Sequence, residues 1–109
     1  MKHARAMPAQ RQLSDLVSIG PAMIGDFQRL GITRVAQLCR YTTERGSRTL
    51  YNRLCSLTGA RHDPCVIDAF AAAIAQARDP RLSKEKCNWW YWSAVRKASA
   101  ARTRARTTR

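Results

Sequence analysis

The stretch LSDLVSIGPAMIGDFQRLGI, residues 13–32, decides how this chain is read. Leu13, Leu16 and Val17 recur at helical spacing, Ser18-Ile19-Gly20-Pro21 breaks the period, and Ile24, Phe27 and Leu30 resume it. The spacing predicts two helices joined by a tight hairpin. Pro21 suits the first turn of the second helix, where its missing N–H would have had no intrahelical partner. Gly31 is placed to end that helix in the left-handed conformation, with Ile32 folding back on the last turn.

Downstream, Thr33 is the expected cap of a short third helix with Val35, Leu38 and Cys39 turned inward. Tyr41 to Gly46 reads as a connection. A fourth helix is predicted from about Ser47 through Leu50, Leu54 and Leu57 to a stop at Gly59, with Tyr51 and Cys55 widening its apolar stripe. The fifth has Asp63 as N-cap, Pro64 at the first helical position, and Val66, Ile67, Phe70, Ala73, Ile74 and Ala77 along one face. Asp79-Pro80 closes it. The aromatic run CNWWYW, residues 87–92, is expected to close the core with its three tryptophans, the alternative being that they stack on exposed bases. Residues 93–102 favour helix by composition, but the end beyond has almost nothing to bury and is expected to fray or stay disordered. No segment alternates long enough for a sheet. The fold class is therefore all-α, a compact bundle of about five helices with a basic C-terminal tail.

The net charge of +13 divides unevenly. Residues 1–12 carry Lys2, Arg5 and Arg11 with no acid, and residues 93–109 carry six cations with no acid, so the middle of the chain is only +4. Nine of the thirteen charges sit in the tails, and a basic tail attracts phosphate without presenting a folded docking face. The division expected is a basic N-terminal tail (1–12), one domain (13–92) and an arginine-rich tail (93–109), which suits a 109-residue chain with 45% hydrophobic content. The N-terminal stretch MKHARAMPAQRQ has no apolar core for a signal peptide, and the most apolar run, residues 65–77, is too short and too polar to span a bilayer. These features predict a cytoplasmic protein with four free thiols at Cys39, Cys55, Cys65 and Cys87.

With its L-x-x-L opening, hairpin and closing L-G-I, the 13–32 segment resembles the helix-hairpin-helix motif. Two further stretches, LYNRLCSLTG (50–59) and RHDPCVIDAF (61–70), together with the aromatic ending 89–92, resemble the small bacterial pathogenicity locus family, whose members are often labelled mitomycin resistance proteins. The first half is also similar to the C-terminal domain of the competence regulator TfoX. The resemblance spans residues 13–92 and implies a helical, DNA-associated module with no reaction attached to it.

A hairpin that leads into a helix presents unpaired N–H groups and the positive end of the helix dipole, a combination that suits a phosphate oxygen. The candidate contacts here are Ser18, Gly20, Ala22 and Met23, with Gly20 admitting close approach. Ser18 stands where the motif has its first hairpin glycine, and Ala22 where DNA-binding versions often carry lysine, so supplementary charge is missing. A second, pseudo-symmetric unit would use the connection at Arg45, Gly46, Ser47 and Arg48. The tail adds Arg96, Lys97, Arg102, Arg104, Arg106 and Arg109, whose cationic side chains release counterions on meeting nucleic acid.

Other chemistry is less well supplied. His62, Cys65 and Cys87 are candidate zinc ligands, but there is no C-x-x-C pair and His62-Asp63-Pro64 is better explained as the start of a helix, so no metal or other cofactor is expected. Cys65, at a helix N-terminus, is the one thiol whose pKa would be lowered. The seven carboxylates are scattered singly, and no catalytic constellation appears. The expected function is non-catalytic, sequence-independent binding of nucleic acid, DNA ahead of RNA. The alternative is a protein-interaction module in a repair or competence complex.

Overall fold

Helix α4 (Cys65–Arg78) is buried on every side from Asp68 to Ala77, which makes it the central element on which the others pack. Its six alanines from 69 to 77 let neighbouring helices approach closely, while Phe70 and Ile74 supply bulk. The computed structural model describes residues 11–107, the side chains of 105–107 excepted. Around α4 lie α1 (Pro21–Arg29), α2 (Val35–Leu38), α3 (Thr43–Thr58) and α5 (Trp89–Thr107), with no strand among the described residues. The core joins Phe27 of α1, Leu38 of α2, and Leu50 and Leu54 of α3 to Phe70 and Ile74. The Phe27 and Phe70 rings meet at 5.3 Å between centroids, tilted by 43°.

Several boundaries follow local chemistry. Gly31 is left-handed (φ 78°), and the Ile32 N–H returns to the Phe27 carbonyl at 2.8 Å. Gly59 ends α3 in the same way (φ 68°), its N–H bonded to the Cys55 carbonyl at 2.9 Å. Asp63 caps α4 by accepting the Cys65 N–H at 2.9 Å, an interaction that lowers the pKa of its carboxyl, and Pro64 already has helical dihedral angles.

Others depart from the expectations. The helix predicted over Leu13–Val17 is a single 3-10 turn, Leu13–Asp15, after which Leu16 is extended. The cause is distant. The buried side-chain amide of Gln76 donates to the Val17 carbonyl at 3.0 Å and accepts the Val17 N–H at 2.9 Å, consuming both groups that a helix would need. Val17 itself faces solvent. Helix α2 is capped at Arg34 rather than Thr33, because Gln37 Oε1 accepts the N–H groups of both Thr33 (2.7 Å) and Arg34 (2.9 Å). Cys39 is exposed, its thiol donating to the Ala77 carbonyl at 3.3 Å. Leu57 is likewise exposed and not part of the packed stripe of α3.

Two corrections bear on the site. Helix α3 begins at Thr43, so the expected connection through Gly46 is mostly helix. Gly46 is buried where an added Cβ would lie 2.5 Å from Tyr41 Cβ, so glycine is required by close packing on the preceding turn. The C-terminal stretch is helical over 93–102 as its composition favours, and where fraying is expected beyond 102 it continues α5 to Thr107. Its first half is held on α4 by the buried Ser93 and by an ion pair from Arg96 to Asp68, so the expected boundary between 92 and 93 falls inside a packed helix.

Candidate nucleic-acid interface

The turn between Val17 and Met23 is fixed from three directions. Gln76 holds the Val17 backbone. Ile19 is buried in the core. Ser18 takes up a left-handed conformation (φ 72°), and its hydroxyl accepts the N–H of Trp89, the first residue of α5, at 3.2 Å. The same Gln76 side chain donates to the Cys87 carbonyl at 3.3 Å, so one amide ties the turn to the chain leading into α5.

From this fixed turn α1 departs with Gly20 as its N-cap. Gly20 is exposed and extended (φ −100°, ψ −172°), and an added Cβ would meet nothing within 4 Å. The Gly20 carbonyl receives the Ile24 N–H at 3.0 Å, whereas the N–H groups of Gly20, Ala22 and Met23 meet no acceptor among the described residues. Ala22 is exposed, and Met23 is half-buried against the core. The structure thus brings Ser18, Gly20, Ala22 and Met23 together at one helix start, with Ser18 turned to an internal partner and the other three presenting donors.

The second candidate group separates. Gly46 and Ser47 are buried within α3, and the Ser47 hydroxyl donates to the Glu44 carbonyl at 2.8 Å, so neither reaches a phosphate. Arg45 and Arg48 are exposed on the same helix. Arg48 and Ser47 share a cavity of about 150 Å³ with Arg96, but Glu44 and Asp68 line it too and balance its two cations. It has no net attraction for an anion.

In the tail group, Arg96 is committed to the fold: Nε lies 2.8 Å from Asp68 Oδ1 and a terminal nitrogen 3.0 Å from Oδ2, a bidentate pair with Asp68 1% exposed. Those hydrogen bonds raise the guanidinium pKa further above its ordinary value. Lys97, Arg102 and Arg104 are exposed along α5. Arg106 belongs to α5 but its side chain lies outside the described residues, as does the whole of Arg109.

The tryptophans do not close the core as expected. Trp89 is 43% and Trp90 49% exposed, and only Trp92 is drawn in, its indole N–H donating to the Lys86 carbonyl at 2.7 Å. Cys65 is corrected as well, since burial and the neighbouring Asp63 push its thiol pKa up rather than down. His62 is engaged through Nε2 with the Thr58 hydroxyl at 2.8 Å, and its carbonyl accepts the Tyr51 hydroxyl. No helix among the described residues is long and apolar enough to cross a membrane.

Gln76 and Asp68 carry no functional expectation from the sequence, where they are two polar residues within the apolar run 65–77. Their register carried the signal. A polar side chain on the buried face of an otherwise alanine-rich helix needs a partner, and here the partners are the Val17 backbone and Arg96.

A family model described as pathogenicity locus matches residues 7–98 of the chain. The mitomycin resistance protein McrB of Streptomyces lavendulae is 34% identical over 85 residues, which cover 78% of this chain and 73% of that protein. Comparison with solved structures returns no match.

Proposed function

The chain belongs to the pathogenicity locus family, and from the geometry described above we propose that it binds DNA without sequence preference and without catalysis. The turn at Ser18 to Met23 acts as the hairpin of a helix-hairpin-helix unit, and its amides position one phosphate of the backbone. Such contacts hold a strand without reading bases. The exposed cations of α5 add long-range attraction.

The observation that carries this reading is the set of N–H groups at Gly20, Ala22 and Met23, open at the start of a nine-residue helix. Gly20 supports it further, since neither its dihedral angles nor its neighbours require glycine, while an approaching phosphate would benefit from the missing side chain.

The test is Gly20→Asp in the full chain. Aspartate is among the best N-caps, so the variant is as stable as the parent or more so. Its carboxylate would nevertheless occupy the amides and repel phosphate. Affinity for a fluorescent 20-base-pair duplex at low salt falls about tenfold or more, the scale of one lost hydrogen bond to a charged group. Ala22→Lys raises it. An unchanged affinity in Gly20→Asp, or no duplex binding by the parent chain, removes the proposal.

A further inference from the structure

Trp89 and Trp90 are the two large rings the fold leaves in solvent at the start of α5. Neither meets another aromatic ring, and neither indole N–H has an acceptor among the described residues. Trp92 marks the contrast. It stands edge-on to Tyr91 at 5.0 Å and has its N–H satisfied, so the requirements of the fold account for it.

The exposed pair sits on a rigid base. The Trp89 N–H is bound to Ser18 Oγ, the Cys87 carbonyl is held by Gln76, and the Asn88 side chain donates to the Lys84 carbonyl at 2.8 Å. Through Ser18 the start of α5 is tied to the turn that carries the open amides of Gly20, Ala22 and Met23. Charge in the adjoining chain favours a polyanion: residues 81–97 hold five cations and one acid, Arg96 being committed to the buried Asp68. Aromatic rings beside cations are what a strand with unpaired bases requires, because every base has a stacking face and every nucleotide a phosphate.

We propose that Trp89 and Trp90 are a stacking platform for unpaired bases, so that the preferred ligand is DNA with a single-stranded segment rather than blunt duplex. The inference rests on the DNA-binding reading and names its substrate class. Phosphate held at the hairpin amides fixes the strand, and the rings take bases that are not engaged in pairing.

The experiment compares full-length parent, Trp89→Ala, Trp90→Ala and Trp90→Phe on a labelled twelve-residue thymidine strand and on a blunt duplex. In the parent, the single strand binds more tightly and quenches tryptophan fluorescence. Each alanine variant loses roughly 5- to 100-fold on the single strand, the scale of one stacked base, and stays within about twofold on the duplex, while phenylalanine restores most of the loss. Equal affinities of parent and variants on the single strand, or no quenching in the parent, overturn the platform and leave duplex binding standing. Absence of binding to both probes overturns the DNA-binding reading itself. If light scattering shows Trp90→Ala converting a dimer to a monomer with DNA affinity unchanged, the rings serve a second copy of the chain and the platform is likewise overturned.

Discussion

At Ser18 one residue carries two opposed terms. Its left-handed backbone costs an L-residue about 1–2 kcal/mol relative to glycine, while its hydroxyl satisfies the first N–H of α5. Removing a side-chain acceptor of that kind costs about 0.5–2 kcal/mol. Ser18→Ala loses the acceptor and retains the strain, so its urea midpoint drops. Ser18→Gly loses the acceptor but releases the strain, and its midpoint stays close to the parent's. Equal midpoints for the two variants would show that the positive φ stores no strain. The comparison also explains how serine is tolerated at a left-handed position that favours glycine: the hydroxyl has a partner in the next layer of the fold.

Elements in this molecule are joined by polar side chains of α4 as much as by its apolar face. Asp68 is buried, and its two hydrogen bonds to Arg96 dock α5. Arg96→Met leaves an uncompensated buried carboxylate and is expected to cost about 3–5 kcal/mol in denaturant unfolding, whereas Arg96→Met combined with Asp68→Leu returns most of that loss. If the double variant is no more stable than Arg96→Met, desolvation of Asp68 is not the dominant cost. This pairing also shows where the sequence stops being legible. The helix ends at Gly31 and Gly59 and the Asp63-Pro64 start of α4 were readable because each is settled within about five residues by backbone chemistry. The collapse of the first helix to one 3-10 turn was not, because the competing partner, Gln76, is 59 residues away. Arg96 was assigned to nucleic acid on composition alone, since nothing local distinguishes a cation bound to a buried carboxylate from a free one. Of the candidate site, the start of α1 at Pro21 was legible, the dispersal of Gly46 and Ser47 into α3 was not, and the exposure of Trp89 and Trp90 ran against the usual fate of tryptophan beside a small core.

Across the whole molecule, α5 turns a charge distribution into a length. The described residues extend 60 × 32 × 21 Å. From Trp89, which is tied to the hairpin, α5 carries Arg102 and Arg104 to roughly 20 Å along its axis at about 1.5 Å per residue. That separation corresponds to about six base pairs of duplex, so hairpin and arginines reach different phosphates. The two contributions then differ in kind. A neutral amide displaces no counterion, whereas each arginine that neutralises a phosphate contributes about 0.9 to the slope of log affinity against log salt on duplex DNA. A full-length variant with Arg102, Arg104, Arg106 and Arg109 all changed to Gln is therefore expected to lose up to about 3.6 of that slope and to keep its sensitivity to Gly20→Asp. A slope unchanged by the four substitutions would place the cationic contacts elsewhere, on Arg45, Arg48 or Lys97. A four-glutamine variant that no longer responds to Gly20→Asp would mean that the hairpin amides contribute nothing independent of the tail.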